Sequence, residues 1–192
     1  MMLDLSAPLF CILLGAGSLI GWLLWKKHNR QFRFWLIPAL ICYILLLLKL
    51  TVFPIHIYSQ ETLDRMKAGF GNYWSFYQLI PFASIRNYFS GSGPIQLIGN
   101  LVLLSPLAVF AEIFLRQRPK AWKVALGVSS VSILIELMQL AINLATQYPS
   151  RVTDIDDLIL NTTGVVVALV FTRAICKIQN IQKVLQKVLY RS

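Results

Sequence analysis

Residues 155–175 read IDDLILNTTGVVVALVFTRAI, and residues 121–145 read AWKVALGVSSVSILIELMQLAINLA. Each run is long and apolar enough to cross a bilayer as a helix, which takes about 20 residues. Each also carries acids or amides inside its apolar stretch: Glu136 and Gln139 in one, Asp156, Asp157 and Asn161 in the other. Runs of similar length and character recur at 7–25, 34–53 and 95–115. The pattern predicts an all-α fold, a polytopic membrane helix bundle of about five transmembrane helices with an aromatic-rich extracellular or re-entrant segment. It divides the chain into a transmembrane domain, residues 1–172, and a basic amphipathic tail, residues 173–192.

Composition supports that reading. Of 192 residues, 57% are hydrophobic and 14% charged, where a soluble domain carries roughly 25% charged residues. So few charges do not cover a water-facing surface. The net charge of +10 is spread as short clusters between apolar runs, as in loops flanking membrane spans, and no basic fold or motif for nucleic acid accompanies it. Cys11, Cys42 and Cys176 lie in or beside apolar runs without C-x-x-C spacing and read as small buried hydrophobes. His28 and His56 are isolated, so no zinc site is indicated. The first run is preceded by Asp4 and no basic residue, which suits a retained helix rather than a signal peptide.

Lys and Arg counts set the expected orientation. Lys26, Lys27, Arg30 and Arg33 follow the first run. Arg116, Arg118, Lys120 and Lys123 lie between the third and fourth, and Arg173, Lys177, Lys183, Lys187 and Arg191 close the chain. The alternate segments hold only Arg65, Lys67, Arg86 and Arg151. The asymmetry places the N-terminus outside and the C-terminus in the cytoplasm. The connection 54–94 contains Tyr58, Phe70, Tyr73, Trp74, Phe76, Tyr77, Phe82, Tyr88 and Phe89, an aromatic density suited to the headgroup region. A shallow re-entrant element near residues 78–82 and a surface loop are both open readings. In the tail, Ile178, Ile181, Leu185 and Val188 recur at helical spacing opposite Lys183, Lys187 and Arg191, as in a helix lying on anionic lipid.

An ionisable group within a span costs about 2.5–3.5 kcal/mol on insertion scales, so such groups face protein or water. Glu136 and Gln139 are three apart and share a helix face. Asp154, Asp157, Asn161 and Gly164 form one stripe running into the membrane. Gly99 and Asn100 lie about one turn inside the third run, and Lys49 near the outer end of the second. The set Asn100, Glu136, Gln139, Arg151, Asp154, Asp156, Asp157 and Asn161 is therefore expected to line one outward-facing ligand-binding cavity. Duller roles exist for each: Thr153 or Asp154 as a helix cap, Asp156 and Asp157 at the positive helix end, Asn100 and Asn161 as interhelical glue, Lys49 snorkelling, and Glu112 paired with Arg116 at i,i+4. Yet three acids beside one arginine on a single turn exceed what capping requires.

The chemistry is bounded by what the sequence lacks. It has no Ser-His-Asp set, no Walker loop and no G-x-G-x-x-G. The carboxylates suit a divalent cation, a proton shuttle at a buried Glu136, or the amine or amide of a ligand. No cofactor or metal centre is specified, and catalytic residues are unassigned.

The run Arg151-Val-Thr-Asp154-Ile-Asp156-Asp157-Leu-Ile-Leu-Asn161-Thr-Thr-Gly164 resembles the R-x-x-D-x-D-D-x-x-x-N-x-x-G signature of the VanZ-like membrane proteins. Ser132-Ile-Leu-Ile-Glu136-Leu-Met-Gln139 is similar to the family's S-x-x-x-E-x-x-Q helix, and Gly99-Asn100 with Pro106 to its G-N…P segment. Gln78-Leu-Ile-Pro81-Phe82 resembles its N-L-I-P-F element, with Gln in place of Asn. Ala108 stands where the family usually has Gly, and Leu104 where an aromatic often precedes the proline. The resemblance covers residues 49–170 in the family's order. It implies a bacterial cell-membrane protein of Gram-positive type that lowers susceptibility to lipoglycopeptide antibiotics such as teicoplanin. The expected partners are membrane lipids together with the antibiotic itself or a lipid-linked wall precursor. A membrane enzyme modifying a lipid or precursor headgroup, and a small lipid transporter or flippase, are the alternative readings.

Overall fold

A computed structural model describes residues 2–4, 6–27, 36–71, 74–88, 94–115 and 119–177. The two runs quoted first form the longest helices, α7 (Ala121–Thr146) and α8 (Ile155–Lys177). Among the described residues, four stretches are long and apolar enough to cross a membrane: α1 (Ala7–Lys27), the broken helix Pro94–Phe114, α7 and α8. The expected second span is α2, Ile37–Thr51, of 15 residues, which rises only about 22 Å. Its predicted start at residue 34 falls outside the described residues. The amphipathic tail beyond residue 177 also lies outside them.

The polarity of the bundle is inverted relative to a soluble protein. Ser132, Glu136, Gln139, Asn143, Asp156 and Asn161 are buried, while Leu126, Leu134, Leu137, Val170 and Phe171 are exposed. A lipid-facing surface requires that arrangement, because polar groups are stable only where protein or trapped water meets them. The chain is an all-α, multi-pass membrane protein.

Helix α8 is the centre, packed against α7 and against both halves of the broken span, α5 (Pro94–Leu103) and α6 (Ser105–Phe114). Pro106 has no N–H to continue the helix, and the Tyr43 hydroxyl of α2 donates to the Leu103 carbonyl at 2.8 Å beside the break. Gly164 lets α5 lie directly on α8, since a Cβ there would overlap the Leu101 carbonyl. Away from the acids, Leu104, Ala108, Val124, Val128, Val165 and Leu169 form the apolar core. The departure at Ala108 is accommodated: the residue is fully buried there. On α1 only Gly17 and Gly21 are buried, a small-residue stripe that brings α2 close enough for a Gly17 Cβ to collide with Ile41.

Short elements make up the described residues of segment 54–88. Strand β2 (Ile55–His56) pairs antiparallel with β1 (Met2–Leu3). Helix α3 spans Gln60–Phe70. Strand β3 (Tyr77–Gln78) pairs in parallel with β4 (Thr153–Asp154), Tyr77 opposite Thr153, and the short helix α4 (Ala83–Asn87) follows. His56, Tyr58, Trp74 and Tyr148 make a ring cluster, with Tyr58 and Tyr148 centroids 4.8 Å apart. These pieces gather at the bundle end that holds the start of α8.

At the opposite end, Glu112 of α6 accepts from Arg173 of α8 at 2.6 and 3.1 Å, and Arg173 also reaches the Pro119 carbonyl at 2.7 Å. The sequence had offered Arg116 as its partner, a residue outside the described ones. The partner found is Arg173, one that helical spacing within a single segment does not reveal.

Candidate functional site

About three turns of α7 place Ser132, Glu136, Gln139 and Asn143 on one buried face. Helix α7 ends where Gln147 turns left-handed, φ 53°, and the chain returns through 148–152 to start α8. Asn143 clamps this return: its amide nitrogen donates to the Arg151 carbonyl at 2.5 Å, and its oxygen accepts from the Ser150 N–H at 3.2 Å. Glu136 takes the Asp154 N–H at 2.9 Å, and the Thr153 hydroxyl donates to the Glu136 carbonyl at 3.2 Å. The start of α8 is thereby fixed against α7 by hydrogen bonds between side chains and backbone.

The three aspartates then point in different directions. Asp154 caps α8, accepting the Asp156 N–H at 2.9 Å on one oxygen and the Ser84 hydroxyl on the other. Asp156, fully buried, faces α4. Its carboxylate accepts the backbone N–H groups of Phe82 at 2.6 Å, Ser84 at 2.8 Å and Ile85 at 3.1 Å. That grip holds Phe82 at φ 66°, a left-handed conformation unusual for a bulky residue. Asp157 faces α5 and accepts from the Asn100 amide.

Between α2, α5, α7 and α8 lies a chamber of about 660 Å³. Asn100, Glu136, Gln139, Arg151, Asp157 and Asn161 all line it. Gln139 donates to the Thr51 carbonyl at 2.8 Å, and the Arg151 guanidinium lies 3.4 Å from the Phe53 carbonyl. Asn161, 1% exposed, donates to the Ser132 hydroxyl at 2.8 Å, but its Oδ1 has no hydrogen-bond partner. A second cavity, about 720 Å³, adjoins the first through Gln96, Gln139, Arg151 and Asp157, and Asp154, Ser84 and Tyr88 help to line it. Tyr88 is outside the spans. Burial first, then the charges of Asp157, Asp154 and Asp156, push its hydroxyl up to about 12.

Of the eight expected residues, six thus meet at one chamber and Asp154 at its neighbour. Asp156 lines neither, so it positions the 82–85 backbone rather than facing the opening. Sequence reasoning left out Asn143, although it sits four residues beyond Gln139 on the same face, and Gln96, one turn before Asn100. Among the described residues, no three His, Cys, Asp or Glu side chains converge as a metal ion requires. The chamber offers two carboxylates, one guanidinium and several amides, a set suited to binding a ligand with both donors and an anion.

No curated protein and no solved structure matches the chain. A family model does match, over residues 40–177, described as VanZ/LLP1. That stretch opens within α2, closes at the end of α8 and contains every residue of the chamber: the chain belongs to the VanZ/LLP1 family.

Proposed function

We propose that this protein is a bacterial cell-membrane factor that lowers susceptibility to lipoglycopeptide antibiotics such as teicoplanin by engaging an envelope ligand in the polar chamber. The observation that carries the reading is the gathering of Glu136, Asp157, Asn161 and Arg151 around one cavity at the end of an apolar bundle. Family membership supports the link to resistance, and the expected basic asymmetry supports an N-terminus outside, a cytoplasmic C-terminus and a chamber at outer-headgroup depth. The ligand is the antibiotic, a lipid-linked wall precursor or a phospholipid headgroup of a Gram-positive envelope. Residues 1–172 would form the transmembrane domain and 173–192 a basic amphipathic tail on the inner leaflet.

The test is a resistance assay in cells expressing the full chain at matched levels. Asp157→Ala removes the carboxylate that bridges α8 to Asn100 and should restore antibiotic sensitivity. Unchanged resistance with normal membrane abundance would remove the chamber from the mechanism.

A further inference from the structure

The polar chamber adjoins an apolar groove. The groove, about 530 Å³, runs between α2 and the broken span and is lined by Tyr43, Leu46, Leu47, Ile98, Val102 and Pro106. Leu50, Ile95, Gly99 and Leu103 line both spaces. Leu46, Leu50, Ile95, Ile98 and Val102 are exposed, so the groove opens sideways to lipid. A molecule can therefore lie half in hydrocarbon and half in the chamber without crossing the bundle.

The chamber selects the polar half. Asn161 lines it and holds a buried acceptor with no donor, Oδ1, an arrangement that costs stability until a donor is supplied. Two carboxylates, Glu136 and Asp157, accompany it, with one guanidinium, Arg151, shared with the adjoining cavity. Such a set calls for a cationic N–H donor beside the acids and one anionic group near the arginine. A phospholipid with a primary ammonium headgroup supplies both, with an acyl chain for the groove. A quaternary ammonium has no N–H to give. A diphosphate-linked isoprenoid would bring its charge against two carboxylates with one arginine to offset it, and a cross-linked glycopeptide core is too large for 660 Å³.

From the shared wall of groove and chamber, and from the acids, arginine and lone acceptor gathered there, we infer that the site takes a primary-ammonium phospholipid, received laterally from the bilayer with its acyl chain between α2 and α5. The inference rests on the proposed function in using the same chamber, and it names the class of ligand.

The experiment is native mass spectrometry of the purified full chain. It is titrated with phosphatidylethanolamine, phosphatidylcholine and phosphatidylglycerol of matched chains, and with water-soluble glycerophosphoethanolamine. Phosphatidylethanolamine should bind about tenfold more tightly than the other two lipids, the effect of one hydrogen-bond set to an ion, and the chainless headgroup should bind more weakly still. Gly99→Leu is the companion variant. A Cβ at Gly99 meets nothing within 4 Å, so the side chain should plug the junction while the melting temperature stays at or above that of the parent. Equal binding of the three lipids, equal binding of glycerophosphoethanolamine, or full phosphatidylethanolamine binding by Gly99→Leu would each overturn the assignment. Lipid selectivity without Asp157-dependent resistance would keep the lipid site and remove the proposed function. Asp157-dependent resistance without selectivity would do the reverse.

Discussion

Asp156→Asn is the substitution that most directly tests how the acid block is assembled. The wild-type carboxylate holds Phe82 on one oxygen and Ser84 and Ile85 on the other. An amide retains one acceptor. In its better orientation the oxygen keeps Ser84 and Ile85, and the NH2 is left facing the Phe82 N–H. One bond to a charged acceptor is lost, about 1.5–3 kcal/mol, and two fall from charged to neutral strength, about 0.5–1.5 kcal/mol each. The anchoring of the 82–85 backbone should weaken by about 2.5–6 kcal/mol. At 1.4 kcal/mol per decade, that is a rise of roughly two to four orders of magnitude in amide exchange. Hydrogen-exchange mass spectrometry on a peptide covering residues 76–88, in nanodiscs, reads it directly. Peptides from the apolar half of α7 and α8 should stay protected. If exchange at Phe82, Ser84 and Ile85 changed by less than threefold, the carboxylate would not be what holds that turn.

Gly164→Ala drives a Cβ into the Leu101 carbonyl, which backbone cannot yield, so it should cost about 3 kcal/mol and lower the melting temperature in detergent; an unchanged melting curve would show that α5 and α8 separate freely. Glu112→Ala strands Arg173 at a site where the acid is 7% and the arginine 28% exposed. The loss should sit near the lower end of the 3–5 kcal/mol range for broken buried pairs, and Glu112→Leu with Arg173→Met should recover stability that the single change does not. Tyr88 has its pKa raised from 10 to about 12, so its neutral form contributes fully below pH 10 and that contribution is lost as pH rises through 12. Tyr88→Phe should therefore flatten the alkaline limb of the stability profile between those values, and an unchanged limb would place the loss elsewhere.

The apolar runs were legible because a bilayer imposes one solution on them, and α1, α7 and α8 follow the predicted limits within about two residues at most ends. The segment 54–94 was legible only as aromatic. Its helix α3 is polar and its strands are two residues long, stabilised by partners distant in sequence, Met2–Leu3 and Thr153–Asp154, which no local pattern reveals. In the site, the Asp154, Asp157, Asn161, Gly164 stripe already left Asp156 to one side. Neighbours on a helix diverge by about 100°, so Asp156 and Asp157 serve different elements, α4 and α5. Helical spacing links Glu136 to Gln139 and Asn143, but it cannot say that Gln139 reaches Thr51 or that Glu112 reaches Arg173. Those contacts belong to the tertiary fold.

The two halves of α8 explain why a strained, polar end persists in a small bundle. Val165 and Leu169 close the apolar core with Leu104, Ala108 and Val128, while one turn toward the acids Asn161 keeps an acceptor unmet. Gly164 lies between them and lets Leu101 approach. The same approach carries Asn100, one residue earlier on α5, to Asp157. Packing and polarity are therefore coupled through a single crossing. Widening it would loosen the core and open the chamber together, so no substitution at Gly164 is expected to affect stability while leaving the ligand site intact. A variant there that kept full ligand binding with a depressed melting temperature would show that the chamber is assembled by the 148–156 clamp alone, without help from the crossing.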